Sequence, residues 1–441
     1  VDNPVTAAAC AERQGIVRMS SSAAVATTED YRGPMMIIGL LFFIFGFVTW
    51  LNGPLIQFVE LAFDLNTVNA FLVLMVFYLS YFFLALPASW ILKRTGMKRG
   101  MAIGLVVMAL GALVFGEFVV RRWYPGALTG LFVIGAGLSL LQTAANPYIS
   151  ILGPIESAAQ RIAFMGICNK IAGILAPLVI GALVMHGLGD LKTQVQAADP
   201  ATRAQLLDAF AARIHVPYLM MAAILGALGF WIAKSPLPEV RAEEVNRAPA
   251  HADAQSIFSC AHLWLGVLCL FVYVGVEVMA GDAIGTYGRG FGLPPDETKF
   301  FTSFTLTAML VGYVVGLLTI PRFISQERYL LLSAALGIVL SLGAYATTGY
   351  ASVAFVAALG FANAMMWPAI FPLAIAGLGR LTETGSALLI MGIAGGAIIP
   401  QTFAVLREHH DFQLVFAAIM VPCYAYILYY GWRGHAVGLR K

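Results

Sequence analysis

The sequence predicts an all-α membrane protein with twelve transmembrane helices in two pseudo-symmetric six-helix bundles. Three observations predict it. The 441 residues are 60% hydrophobic and 11% charged, whereas soluble proteins carry about 25% charged residues. Charge that scarce cannot cover a soluble surface of this size. Apolar windows of about 20 residues, the length that spans a ~30 Å hydrocarbon core, recur twelve times. The longest polar stretch between them, 234–257, divides the twelve six and six.

The first six windows are roughly 36–60, 67–92, 99–121, 126–152, 161–186 and 217–233. The second six are roughly 261–286, 299–320, 328–348, 351–378, 384–405 and 413–432. They are numbered spans one to twelve. The organisation expected is a disordered cytoplasmic N-terminus (1–34), a first bundle (35–233), a cytoplasmic linker (234–257), a second bundle (258–432) and a short tail (433–441). Residues 1–34 show no basic start followed by an apolar core, so no cleavable signal is expected, and Met19 is a candidate translation start. Within 188–215, "DPATRAQLLDAFAARI" has apolar positions at helical spacing and predicts a short surface helix.

Lysine and arginine favour the cytoplasmic side. With both termini inside, seventeen of the 26 fall in inside loops and tails and eight outside; Lys170 lies within a span. The four charges of "LKRTGMKR" (92–99) give the strongest local signal.

The two halves echo each other. "KIAGILAP" (170–177) resembles "IAGGAIIP" (393–400), matching Gly173 with Gly396 and Pro177 with Pro400. Asn146-Pro147 in span four is answered by Trp367-Pro368 in span ten. Repeats and interrupted helices mark transporters that rock about a central site. Pro147, Gly173, Pro177, Gly396 and Pro400 are therefore the expected kinks for gating.

Polar residues within spans are candidates for function, since a charge at mid-membrane costs about 2.5–3.5 kcal/mol on insertion scales. Lys170 lies nine residues past Arg161, roughly 13 Å deep at 1.5 Å per residue. It is read either as part of a structural ion pair or as a substrate donor and fixed positive charge. Glu277, in the outer half of span seven, is a candidate for substrate or cation binding. Asp282 either joins it in cation coupling or sits at the membrane interface. Asn52, Gln142, Asn146, Asn169, Asn363 and Trp367 complete the expected cavity lining. Amides offer a donor and an acceptor to a hydroxyl, and a flat aromatic packs on the apolar face of a pyranose. The competing reading of each amide is interhelical glue.

Other classes find no support in the sequence. There is no Gly-rich phosphate loop, no HExxH and no GxSxG, so neither an enzyme nor a cofactor is expected. The net charge of +3 gives no case for nucleic acid. Cys10, Cys168, Cys260, Cys269 and Cys423 have neither metal spacing nor a paired framework, and no metal is expected.

These residues resemble the major facilitator superfamily. The loop "ASWILKRTGMKRGMAIG" between spans two and three is similar to that family's G-x-x-x-D-R-x-G-R/K-R pattern, with Ser89 in place of the first glycine and Lys93 in place of the acid. Within the family, "FFIFGFVTWLNGPLIQF", "LLQTAANPYISILGP", "VPYLMMAAI" and "YVGVE" resemble the fucose and glucose/galactose branch. That resemblance implies the major facilitator fold and import of a sugar by alternating access across the cytoplasmic (inner) membrane, by a monomer. Driven by Na⁺ or H⁺, the cargo would be a neutral hexose: glucose or galactose first, then N-acetylglucosamine, fructose or fucose. It also implies carboxylates at the positions of Gln142 and Gly53 in fucose transporters. Neither residue here titrates, so the sugar role carries over to Asn52, Gln142 and Asn146 while the proton role falls to Glu277, with Lys170 as counter-charge. The alternatives are an exporter of apolar compounds and a non-transporting sugar sensor.

Overall fold

The computed structural model describes residues 32–151, 158–237, 256–320, 322–378 and 381–438. Most of the expected N-terminal tail and linker, the end of the tail, Cys10 and the "LGP" closing the span-four motif lie outside the described residues.

Among the described residues twelve helices are long and apolar enough to cross a membrane: Gly33–Ala62, Thr67–Thr95, Met97–Val120, Tyr124–Asn146, Arg161–Leu183, Pro200–Lys234, Ala261–Gly281, Pro295–Thr319, Gln326–Ala346, Gly349–Ile375, Thr384–Leu406 and Phe412–Trp432. They correspond one to one with the spans read from the sequence. The differences are at the ends. Asp199 caps a helix over Pro200–Ala212 through bonds from the Ala201 and Thr202 amides. Only Arg213 and Ile214 separate this helix from His215–Lys234, so the expected surface helix is the start of span six.

Two spans break where proline removes a backbone donor. In span one the helix Arg32–Trp50 stops and Asn52–Ala62 begins. Pro54 has no N–H for the Trp50 carbonyl, and its ring clashes with it; three residues into a new helix, proline costs little. Span ten repeats this: Gly349–Asn363 stops and Met366–Ile375 starts, with Pro368 four residues past Ala364. The expected kink positions behave differently. The span-four helix runs on through Pro147 to Ile151, and span five is continuous through Gly173 and Pro177. In span eleven a 3₁₀ turn, Gly392–Ala394, lies just before Gly396.

The packing repeats with two-fold regularity. Span one packs on five, two on four, three on four and six. Six numbers later, seven packs on eleven, eight on ten, nine on ten and twelve. The halves join through five on eight and, equivalently, eleven on two. Gly173 and Gly396 lie at these joints. A Cβ on Gly173 would stand 2.9 Å from Leu306 of span eight, and one on Gly396 would stand 3.1 Å from Tyr78 of span two. Both serve close approach of the halves. The outer ring is apolar and exposed, as at Leu110, Leu113, Leu175, Leu178, Val311, Leu318 and Leu332; these side chains suit hydrocarbon, since exposed apolar patches of this extent mark contact with lipid or a partner.

Candidate functional site

A cavity of about 120 Å³ lies between the halves, far above the ~10–15 Å³ that one water needs. Spans one, two, four and five line it from the first half, and spans seven, eight, ten and eleven from the second. Its centre is an ion pair. Lys170 Nζ of span five donates to Glu277 Oε1 of span seven at 3.0 Å, with the side chains only 7% and 13% exposed. Lys170 also sits 4.3 Å from the centre of the Trp50 ring. Trp50 Nε1 in turn donates to Asn169 Oδ1 at 3.2 Å. The break after Trp50 places that indole over span five, and Gly173 makes room for it: a Cβ there would stand 2.5 Å from the ring.

Gln142 and Asn146, four residues apart, both line the cavity. Gln142 Nε2 donates to the Tyr81 hydroxyl at 3.0 Å. Across from them Trp367 stacks on Phe371, ring centres 6.0 Å apart, and tilts against Tyr273. Pro368 restarts span ten at this depth, which brings Trp367 onto the cavity wall.

Two expected lining residues are elsewhere. Asn52 is 1% exposed and outside the cavity, because it opens the restarted helix of span one. Asn363 is fully buried and outside it too; its Oδ1 accepts the Tyr424 hydroxyl of span twelve at 2.8 Å, so it ties two helices of one half together. Asp282 is 1% exposed and bonds across the halves to Tyr78, so it is enclosed by protein outside the cavity lining. Trp50, Tyr78, Tyr81, Tyr273 and Tyr313 line the cavity and were not singled out by sequence. Aromatics in spans ordinarily serve packing or interfacial belts, and only the pairing of Tyr78 and Tyr81 on one helical face hints at more.

The face expected to lie outside, called the upper face here, is where polar bonds join the halves. Glu60 pairs with Arg289 at 2.7 Å. Asp296 accepts the Leu188 and Gly189 amides at 3.1 and 2.9 Å. Lys299 Nζ donates to the Met185 carbonyl at 2.8 Å, Thr298 to Gln57 at 3.3 Å, and Gln401 to the Val68 carbonyl at 3.1 Å. Two glycines admit this closure. A Cβ on Gly53 would lie 2.4 Å from Thr302 Oγ1, and one on Gly285 2.3 Å from Gln57 Nε2.

A family model described as the Major Facilitator Superfamily matches residues 38–400. The chain belongs to that superfamily. Among similar superfamily members, the Brucella abortus protein named "Glucose/galactose transporter" is 34% identical over 91% of this chain and 94% of its own length. The Escherichia coli L-fucose-proton symporter is 27% identical over 86% of this chain and 88% of its own. The crystal structure of the E. coli fucose:proton symporter superposes with a TM-score of 0.73 at 25% identity, covering 92% of this chain and 99% of that one. The chain is therefore a multi-pass membrane protein of transporter fold, in a family of transporters rather than enzymes.

Proposed function

We propose that the protein is a secondary active transporter that imports a neutral hexose, glucose or galactose first, by alternating access coupled to Na⁺ or H⁺. The observation that carries this is the Lys170–Glu277 pair in a cavity whose aromatic and aliphatic walls also carry the amides Gln142, Asn146 and Asn169. One cation and one anion at 3.0 Å leave the site with no net charge to attract an anionic cargo. Gln142, Asn146 and Asn169 offer donors and acceptors to hydroxyls, and Trp367 with Tyr273 offers an apolar face to a sugar ring. The Brucella relative's name points to the same cargo. The E. coli relative's name favours fucose as the second reading and a proton as the driving ion. A pump for apolar compounds has no use for a cross-half ion pair and three amides on its cavity wall, and a sensor would bind sugar without net flux.

In this reading the lysine and arginine distribution puts both termini in the cytoplasm and the upper face outside the inner membrane. Residues 35–233 and 258–432 rock as two bodies of a monomer. Glu277 and Asp282 are the carboxylates available for coupling.

The test is labelled glucose uptake into proteoliposomes under an inward Na⁺ gradient, an inward proton gradient, or neither. Accumulation under one gradient identifies the driving ion. Equilibration without accumulation identifies a uniporter. No uptake or counterflow of glucose, galactose, N-acetylglucosamine, fructose or fucose sinks the sugar reading.

A further inference from the structure

Asp282 is a buried carboxylate that the central cavity does not explain. It follows the last residue of span seven and is 1% exposed. Its Oδ2 accepts the Tyr78 hydroxyl of span two at 3.2 Å, a bond across the halves. Its Oδ1 has no partner of good hydrogen-bond geometry among the described residues, and the Gly53 backbone N–H is the one donor that interacts weakly with this carboxyl from span one. Span one approaches it at Gly53, where a Cβ would stand 3.2 Å from Oδ1. The Thr302 hydroxyl of span eight is committed elsewhere, donating to the Gly281 carbonyl at 2.9 Å.

The charged groups facing Asp282 are Glu277 on its own helix and Lys170 from span five. Those two are paired with each other, and of the two Glu277 acts on Asp282 more strongly than Lys170, so the pair gives a second anion no net support. Gly53 lies in the first turn of the restarted helix, whose positive end favours an anion by at most ~2 kcal/mol. Burying an unpaired ion costs several kcal/mol. Burial wins, and the species this closed packing accommodates is the neutral acid, one of whose oxygens carries the proton.

We infer that Asp282 is the proton-carrying group of the transport cycle, and that its neutralisation is the condition for the upper face to close. This rests on the sugar-transport reading above and names its driving ion. With the upper face open, water reaches the carboxylate, and one O–H bond forms with a proton from that side. Closure then buries the acid against Gly53. Tyr78 touches both Asp282 and the cavity, so it is the route by which that O–H bond is later broken and the proton passes to cavity water. Glu277, held by Lys170, answers to the sugar and not to the proton.

The test is sugar-evoked proton uptake in Na⁺-free proteoliposomes, measured beside sugar counterflow. Wild-type protein should take up protons when glucose is added. Asp282→Asn should lose that uptake and gradient-driven accumulation while counterflow persists, because the amide mimics the neutral acid. Proton uptake retained in Asp282→Asn overturns the assignment, as does wild-type accumulation that needs Na⁺. Absence of wild-type counterflow with any hexose sinks the transport reading itself; counterflow without proton flux sinks only this one. Tyr78→Phe leaves the carboxyl in place and keeps the proposal testable should Asp282→Asn misfold. Removing the hydroxyl takes away both a donor to the carboxylate and the route to the cavity, so sugar-evoked proton uptake should slow markedly and its external-pH midpoint should move to higher pH; an unchanged rate and midpoint overturn the assignment.

Discussion

Lys170 and Glu277 meet at 3.0 Å across the two halves, each almost wholly withdrawn from solvent. Removing one partner of a buried pair strands the other, at a cost of about 3–5 kcal/mol. Glu277→Gln and Lys170→Met should each lower the detergent Tm sharply, whereas the double variant should recover much of the loss. Additive losses would mean that the two charges do not stabilise each other. Both single variants should also lose counterflow, since each leaves a lone charge in the sugar's place.

A Cβ on Gly53 of span one would stand 2.4 Å from the Thr302 hydroxyl oxygen of the other half. Gly53→Ala should hold the upper face ajar. Gln57, buried in the closed form, gives the readout. A cysteine placed there should label faster with an impermeant reagent when Gly53 is Ala, and Thr302→Ala should reverse the gain. Equal labelling rates would refute the tight fit.

The polar and aromatic walls should contribute separately to affinity. Gln142→Leu removes one donor–acceptor group, so the half-saturating sugar concentration should rise roughly 2- to 10-fold for a net loss of about 0.5–1.5 kcal/mol. Trp367→Phe should transport nearly as well as wild type and Trp367→Ala poorly. Equal loss in both tryptophan variants would assign the indole to packing. The measurement is concentration-dependent uptake at fixed gradients.

Pro54 and Pro368 keep spans one and ten in two pieces. Pro54→Ala restores a donor for the Trp50 carbonyl, so the span should run more nearly straight. The expected outcome is a higher Tm with slower turnover, the trade that follows when a moving part is stiffened. Faster turnover would show that the break is incidental.

Much of the fold was legible from length and composition, because twenty apolar residues in a row have few fates other than a membrane helix. The two-fold pairing of spans was foreshadowed by the Gly173/Gly396 and Pro177/Pro400 echo, although the two glycines sit at half–half joints and the two prolines lie within continuous helices rather than at the main breaks. The breaks follow Pro54 and Pro368, both visible in the sequence, but neither Leu-Asn-Gly-Pro nor Met-Trp-Pro says by itself that a helix stops. Lys170 and Glu277 were legible because charge in a membrane is costly. The amides were less so. Distance along a span gives depth but not rotation, and Asn363 at the right depth points to Tyr424 instead of the cavity. Asp282 was obscured for a related reason: its place near the end of span seven suggested an interface, while Gly53, seen only as a missing carboxylate, is the gap that lets the halves enclose it.

The pairing of Lys170 with Glu277 suits the site to an uncharged cargo, and an uncharged cargo has an electrical consequence. Fixed side-chain charges return with the protein in every cycle, so with a neutral sugar the coupling cation alone moves net charge, one whole elementary charge each. A potential of 100 mV, inside negative, then supplies about 2.3 kcal/mol per cation. At one cation per sugar that sustains roughly fiftyfold accumulation from voltage alone. Transport would register as an inward current, and a cell at rest would concentrate sugar even where the driving ion is equally abundant on both sides.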